Sequence, residues 1–575
     1  MLKLLRYLKP YRTAVTLVLV LIFLQSLSSL YLPYLMSNIV DVGVVKGDIP
    51  YIIKIGGFML LVTIIGGICA IFAGLFASKA SAGFGQILRS KVFTHVENFT
   101  LHEFDQIGTS SLIVRTNNDI MQVQQLVNMM LRMMVMAPLT AIGGIIMAVY
   151  TDAKLSLIIV VVMPVLGLAI YAVLGRGISL FRVMQEKVDI LNRVLRENLT
   201  GIRVIRSFGR TPYELHRFDA ANLDLTDTSV RVYKIMAALM PMMMLIINLS
   251  TLAILWFGGI RINDGAMQVG NLMAFIQYVM QIMFSVMMVS MMAFMIPRGQ
   301  ASAVRIHEVL QMVPEISDPI SEKMTGETRG DIEFRDVTFS YPGAQEPALA
   351  HLSFHIHAGE TTAIIGGTGS GKSTLIHLIP RFYDIDSGSI LVDGVDVREM
   401  SQAHLRAKIG FVPQKAVLFS ETIAQNIRYG NENSTDEEVR KAAEVAQAYE
   451  FIATMKNGFD SVIAQGGANV SGGQKQRLAI ARALVRKAEV YIFDDSFSAL
   501  DFKTDANLRA ALKKEVAGAT VILVAQRVST VMDADRIIVL DDGKLAGIGT
   551  HKELMNSCSV YREIVESQLS EEEIA

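Results

Sequence analysis

The chain is poor in cysteine: Cys69 and Cys558 are all it has in 575 residues. They lie far apart, so neither a disulfide framework nor a thiolate metal site is indicated. Both read as small apolar fillers. Net charge is nearly absent, −1 from 53 Lys and Arg against 54 Asp and Glu, which argues against a nucleic-acid partner. Charged residues are also scarce, 19% of the chain, while 51% is hydrophobic and mean hydropathy is +0.40. That scarcity is confined to the first half. Six stretches there contain no Asp, Glu, Lys or Arg: Thr13–Met36, Ile55–Ser78, Met133–Thr151, Leu155–Gly175, Ile235–Ile260 and Gly265–Pro297. Each is long enough to cross a bilayer, which takes ~20 residues. Spanning backbone must satisfy itself, so all six are expected to be helices. Pro33, Pro138, Pro164 and Pro241 mark expected kinks.

The connections alternate in length. Short links, Ser37–Lys54, Asp152–Lys154 and Arg261–Asp264, follow spans one, three and five. Long links, Lys79–Arg132 and Arg176–Lys234, follow spans two and four and keep a helical period. Arg176–Arg231 holds ten Lys or Arg, and the first twelve residues hold four. Positive residues collect on the cytoplasmic side. Both termini and both long links are therefore expected in the cytoplasm of a multi-pass cell-membrane protein. At ~1.5 Å per residue the long links project tens of ångströms. Their tips are expected near Phe104–Gly108 and Arg206–Arg210, where glycine interrupts the pattern. The basic amphipathic start, Met1–Pro10, reads as a helix on the membrane surface. Membrane lipid is thus a partner.

Methionine is abundant: 14 of 32 lie between Met236 and Met295. Met280, Met283, Met287 and Met291 recur at helical spacing, which suits either helix packing or a path for a hydrophobic small-molecule substrate. Asp41 is a candidate outer-gate or cation contact, and Arg132 a candidate gate or substrate contact. Trp256 fits an outer aromatic belt. Residues 1–300 thus form a six-span domain. Residues 301–330 gain charge, with Pro314 and Pro319, and read as a linker.

From Asp331 to residue 575, short β-type runs alternate with helical patterns, the signature of an α/β domain. Its centre is Gly366-Gly367-Thr368-Gly369-Ser370-Gly371-Lys372-Ser373-Thr374, which fits the phosphate-binding pattern G-x-x-x-x-G-K-[ST]. A strand-like run, Thr361–Ile365, precedes it, and a helical run, Leu375–Ile379, follows. Glycine lets successive N–H groups turn toward one anion, and the helix adds its positive end. Lys372 can reach β- and γ-phosphates, and the Ser373 hydroxyl can ligate Mg²⁺.

Further motifs follow in a fixed order: Tyr341 in Phe339–Pro342, Gln414 in Phe411–Gln414, Ser471-Gly472-Gly473-Gln474, Val490–Asp494, and Ser498–Asp501. With the phosphate loop they resemble the ATP-binding cassette (ABC) exporters, specifically a multidrug-exporter-like half-transporter. The resemblance covers nearly the whole chain. It implies a six-helix transmembrane domain with long cytoplasmic extensions, followed by an α/β P-loop nucleotide-binding domain. It implies that Tyr341 stacks on adenine and that residues 366–374 hold phosphate. Asp494, Ser373 and Gln414 would then hold Mg²⁺. Ser471–Gln474 would be the signature loop that completes the ATP site of a second, paired cassette.

Four positions depart from the family pattern. Asp495 stands where the presumed general base is Glu, and Gln526 where the switch residue is His. Asp is shorter by one carbon–carbon bond, ~1.5 Å, and Gln carries neither proton nor charge. Val470 replaces the usual Leu before the signature, and Gln465 replaces a frequent Glu. Retained binding residues with altered hydrolysis residues imply the slow site of a heterodimer, the partner being a second half-transporter. A slow homodimer and an ATP-gated channel or sensor are the alternatives. Six spans exclude a soluble ATPase. The expected substrate is hydrophobic or amphipathic: a drug, a lipid or a peptide.

Overall fold

The structure, a computed structural model, describes residues 2–323, 326 and 329–569; the side chains of residues 2, 174, 178, 291, 293 and 294 are left aside. The chain divides into two compact units. One is Met1–Glu97 with Thr109–Met312; the other is Asn98–Gly108 with Val313–Ala575.

Among the described residues the first unit holds six helices long and apolar enough to cross a membrane. They are α1 (Arg12–Asn38), α2 (Ile49–Glu97), α3 (Ile120–Thr151), α4 (Leu157–Thr200), α5 (Thr211–Asn263) and α6 (Val269–Gln311). Four of the six charge-free stretches fall wholly in them; the other two begin just ahead of their helices, Leu155–Ser156 before α4 and Gly265–Gln268 before α6. The helices run well past those stretches because polar residues that keep a helical period continue the helix outside an apolar solvent. The four prolines lie inside α1, α3, α4 and α5, each of which continues beyond its proline. Many apolar side chains remain exposed, among them Trp256 at 72%, as a lipid-facing surface requires.

Helix α6 corrects the linker boundary. It continues through Ala301 to Gln311 without a break, and the units change between Met312 and Val313. The rise in charge after residue 300 marks a helix entering a polar environment, not its end. Met283 is buried among Phe275, Tyr278 and Ile282, while Met280 is exposed and Met287 half-buried. Met283 therefore serves helix packing. Met291 lies outside the described side chains.

Asp41 has a structural occupation. Its two carboxylate oxygens accept the N–H groups of Gly270 and Asn271, at 2.6 and 3.1 Å. These are orphan donors at the start of α6. A Cβ on Gly270 would lie 2.4 Å from the Ser37 carbonyl and 2.7 Å from the carboxylate, so only glycine permits the approach. Arg132 is exposed.

Among the described residues the second unit contains two sheets. One is antiparallel, ordered β2-β1-β4-β5: β1 (Ile332–Phe339), β2 (Leu349–Ile356), β4 (Ser387–Val392) and β5 (Val395–Asp396). The other is ordered β10-β9-β3-β8-β7-β6, from β3 (Thr361–Gly366), β6 (Ile409–Val412), β7 (Val490–Asp494), β8 (Thr520–Val524), β9 (Arg536–Asp541) and β10 (Lys544–Gly549). Strands β6, β7, β8, β3 and β9 run parallel. Every residue of β7 and β8 is buried, as expected for strands covered on both faces.

Residues 98–108 belong to this unit. They form a short helix, Leu101–Ile107, ended by Gly108 at φ +80°. Thr100 and Glu103 cap its start reciprocally, and the other Glu103 oxygen accepts the Glu315 N–H at 3.0 Å. Burial pushes the Glu103 carboxyl up, but hydrogen bonds from Thr100 and Glu315 outweigh it and leave the carboxyl below its ordinary value. The tip at Arg206–Arg210 stays in the first unit, where Gly209 takes φ +63° between a short helix, Ile202–Ser207, and α5.

Candidate functional site

In an open parallel sheet, ligands bind beyond the carboxyl ends of the strands. Four neighbouring strands place the predicted site residues there. The phosphate loop follows β3, Gln526 follows β8, Asp494 ends β7 with Asp495 next, and Gln414 follows β6. Residues far apart in sequence, from Gly366 to Gln526, thus share one edge.

The loop between β3 and the helix α7 (Lys372–Leu378) has the curvature its glycines permit. Gly371, the residue before α7, has φ +93°, and a Cβ there would lie 2.6 Å from the Leu349 side chain. The Lys372 ammonium donates to the carbonyls of Gly366 and Gly367, at 2.9 and 2.6 Å. Burial pushes its pKa down, with Asp495 and Asp494 pulling it back. A cation held this way favours an anionic ligand.

The Ser373 hydroxyl donates to Asp494 at 3.2 Å. Asp494 is buried, which pushes its carboxyl up; the Ser373 hydrogen bond opposes this, and the Asp495 charge adds to it. A buried carboxylate beside a hydroxyl and a second carboxylate is a donor set that a divalent cation would neutralise. Mg²⁺ fits these residues: Ser373 and Asp494 would hold it, and it would neutralise charge on phosphate oxygens. The Gln414 amide instead donates to Asp495 Oδ2, at 3.3 Å.

Asp495 adopts φ +45°, uncommon for a residue other than glycine. Its backbone N–H donates to Val524 at 2.9 Å, and its carbonyl accepts the Ser498 hydroxyl at 2.9 Å. The Gln526 amide donates to the same Oδ2 as Gln414, at 2.9 Å. Asp495 and Gln526, two of the four departures, are therefore hydrogen-bonded to each other.

The Tyr341 hydroxyl lies 3.0 Å from the Thr374 hydroxyl. Its ring meets Phe339 and Tyr383 edge-on, with centroids 5.0 and 5.5 Å apart, and is 38% exposed. Tyr383 carries no signal in its local sequence. Burial pushes its phenol up to about 12, with smaller contributions from Tyr341 and from Asp105 of the short helix Leu101–Ile107. The Thr100–Glu103 capping box also escapes the sequence reading, although T-x-x-E is a readable signal.

Ser471 and Gln474 lie elsewhere. Ser471 caps the helix α8 (Gly472–Leu484): its Oγ accepts the Gln474 N–H, and the Gln474 side chain accepts the Ser471 N–H at 2.9 Å. Among the described residues no hydrogen bond joins 471–474 to the phosphate loop. Gly472 and Gly473 form the first turn of α8. Just upstream, Gln465 opens a tight turn whose Gly466 carbonyl accepts Lys475 at 2.8 Å.

Six apolar helices and a P-loop sheet with its motifs in this order define a membrane-embedded, ATP-binding transport protein. Residues 15–286 match the ABC transporter transmembrane region, and residues 349–498 match the ABC transporter domain. An uncharacterized ABC transporter ATP-binding protein of Mycobacterium tuberculosis is 44% identical over 98% of this chain and 97% of its own length. An ATP-dependent lipid A-core flippase of Vibrio vulnificus is 31% identical over 98% of this chain and 97% of its own. The solved structure of a bacterial Atm1-family ABC exporter with ATP bound superimposes with TM-score 0.81. It is 26% identical and covers 97% of this chain and 99% of that one. The chain belongs to the ABC transporter family, and its fold is that of an exporter.

Proposed function

We propose that this chain is one half of a heterodimeric exporter, and that ATP held on its own phosphate loop is hydrolysed slowly. The observation that carries this reading is the pair of amides on Asp495. One oxygen of the carboxylate accepts from both Gln526 and Gln414. Both amides fix Oδ2, and with it the orientation of a side chain one methylene shorter than Glu, while Oδ1 accepts no hydrogen bond among the described residues. A His in place of Gln526 could carry charge; an amide cannot.

Binding is a separate matter. Residues 366–374 would hold the phosphates, Tyr341 would stack on adenine, and Ser373 with Asp494 would hold Mg²⁺. Ser471–Gln474, at the positive end of α8, would face a γ-phosphate bound by the partner. Closure on two ATP molecules would then drive export, with turnover at the site that combines this chain's signature with the partner's Glu and His. The flippase relatives support an amphipathic, lipid-like substrate, and the exposed apolar surface of the six helices suits one.

The test is the intact mass of the membrane complex, captured from its own cells through a tag on this chain. Two different chains in equal amounts are expected. Two copies of this chain would overturn the heterodimer.

A further inference from the structure

The antiparallel sheet of the second unit carries an unusual group of side chains. Strand β2 alternates: Leu349, Leu352, Phe354 and Ile356 are buried, while His351, Ser353 and His355 face outward. His357 follows two residues after His355, on the same face. The register pairs Ile332 with Ile356 and Glu333 with His355, which sets Asp331 opposite His357. His355 Nε2 lies 2.8 Å from both oxygens of Asp331. The rings of His355 and His357 have centroids 4.3 Å apart and are tilted by 58°. One ligand atom from each of the three residues lies within 4.8 Å of the others.

We propose that Asp331, His355 and His357 form a binding site for a divalent transition-metal ion of the zinc class. Two imidazoles and one carboxylate are borderline ligands, suited to zinc, nickel or copper over magnesium or calcium. Ligands ~2.1 Å from a tetrahedral ion stand roughly 3.4 Å apart. The ligand atoms must therefore close by no more than about 1.4 Å, within reach of a rotation of the exposed His357 side chain. The fourth position would be water.

A simple His–Asp pair accounts for His355 and leaves His357 unexplained. The His357 ring makes no hydrogen bond among the described residues, yet it packs against its neighbour. Nearby acids are otherwise engaged: Glu333 binds Arg335 at 2.6 Å, and Glu360 binds Arg536 at 3.3 Å. Strand β3 separates the cluster from the phosphate loop. Its six residues, at ~3.3 Å each, span about 20 Å. The site is thus distinct from the hydrolytic one. It would fasten the start of β1 to the end of β2.

The experiment uses the full complex, purified through a tag that contains no histidine. It is dialysed against Zn²⁺, and bound metal is counted by mass spectrometry. Co²⁺ absorption then reports the ligands. One ion per chain is expected, with cobalt bands typical of a four-coordinate nitrogen and oxygen site. H357A, a surface change, should weaken binding at least about 10-fold, and H355A/H357A should abolish it. ATP turnover and thermal unfolding without metal should match the unsubstituted protein, showing that the fold is intact. Equal metal content in H355A/H357A and the unsubstituted protein would overturn the proposal, as would absence of bound ion in the latter.

Discussion

Asp495→Glu is the substitution with the most to reveal. The native carboxylate is drawn back between Gln526 and Gln414, at 2.9 and 3.3 Å. One added methylene advances it by ~1.5 Å. Misplacement by 1 Å can cost on the order of 100-fold in rate, or about 2.7 kcal/mol of barrier. Restoring reach should recover part of that, so roughly 10- to 100-fold faster turnover at this chain's own loop is expected. The residue sits at φ +45°, a conformation Asp tolerates better than Glu, so thermal unfolding is measured alongside. The assay is vanadate trapping of a photoreactive ATP analogue, because it reports which chain carries the hydrolysing site. Label on this chain should rise in D495E and rise further in D495E/Q526H. Asp495→Asn should change the slow native signal little. If D495N instead abolished turnover of the complex as fully as Lys372→Ala, Asp495 would be a working base and this chain's own site would not be the slow one.

Three further outcomes are expected. Gly371→Ala places a methyl 2.6 Å from Leu349 at φ +93°; it should destabilise the unit by about 2 kcal/mol or more and weaken ATP binding, read by nucleotide titration. Glu103 has a depressed pKa in the fold, so its stabilisation is present above the unfolded value near ~4.3 and is lost as pH falls through the folded value. Glu103→Gln should cost about 1–3 kcal/mol at neutral pH and flatten that acid-side loss in thermal unfolding. Asp41→Ala should lower thermal stability by freeing two N–H groups at the start of α6, and Asp41→Asn should recover part of it. Loss of transport in D41N at unchanged stability would restore the gate reading.

Much of the nucleotide site is legible in the sequence because its motifs are contiguous and chemically distinctive. Gly366–Thr374 needs no partner to be recognised, and neither does a four-residue apolar run ending in Asp494. The spans are legible for a similar reason: lipid forbids charge over a continuous stretch. What stays hidden depends on distant pairs. Asp41 resembles a gate because nothing near it announces Gly270, 229 residues on. The end of α6 is misplaced because charge after Ala301 signals a change of solvent as readily as a change of structure. The Asp495–Gln526 contact spans 31 residues, and only strand order brings it together. His355 and His357 attract no notice because a histidine pair means little until the facing strand supplies Asp331.

The allegiance of Asn98–Gly108 has a consequence for biogenesis. Glu103 meets the Glu315 N–H across 212 residues of chain. At roughly 5–20 residues per second, about 10–40 s of synthesis separate the two. Through that interval four further helices must enter the bilayer while the short helix waits without the surface it will pack on. Its capping box supplies local order in the meantime, since Thr100 and Glu103 satisfy each other without outside help. Completion of the second unit is therefore tied to prior insertion of the first. A chain stopped before residue 315 has its short helix capped but lacks the Glu315 N–H that fastens it to the rest of the unit.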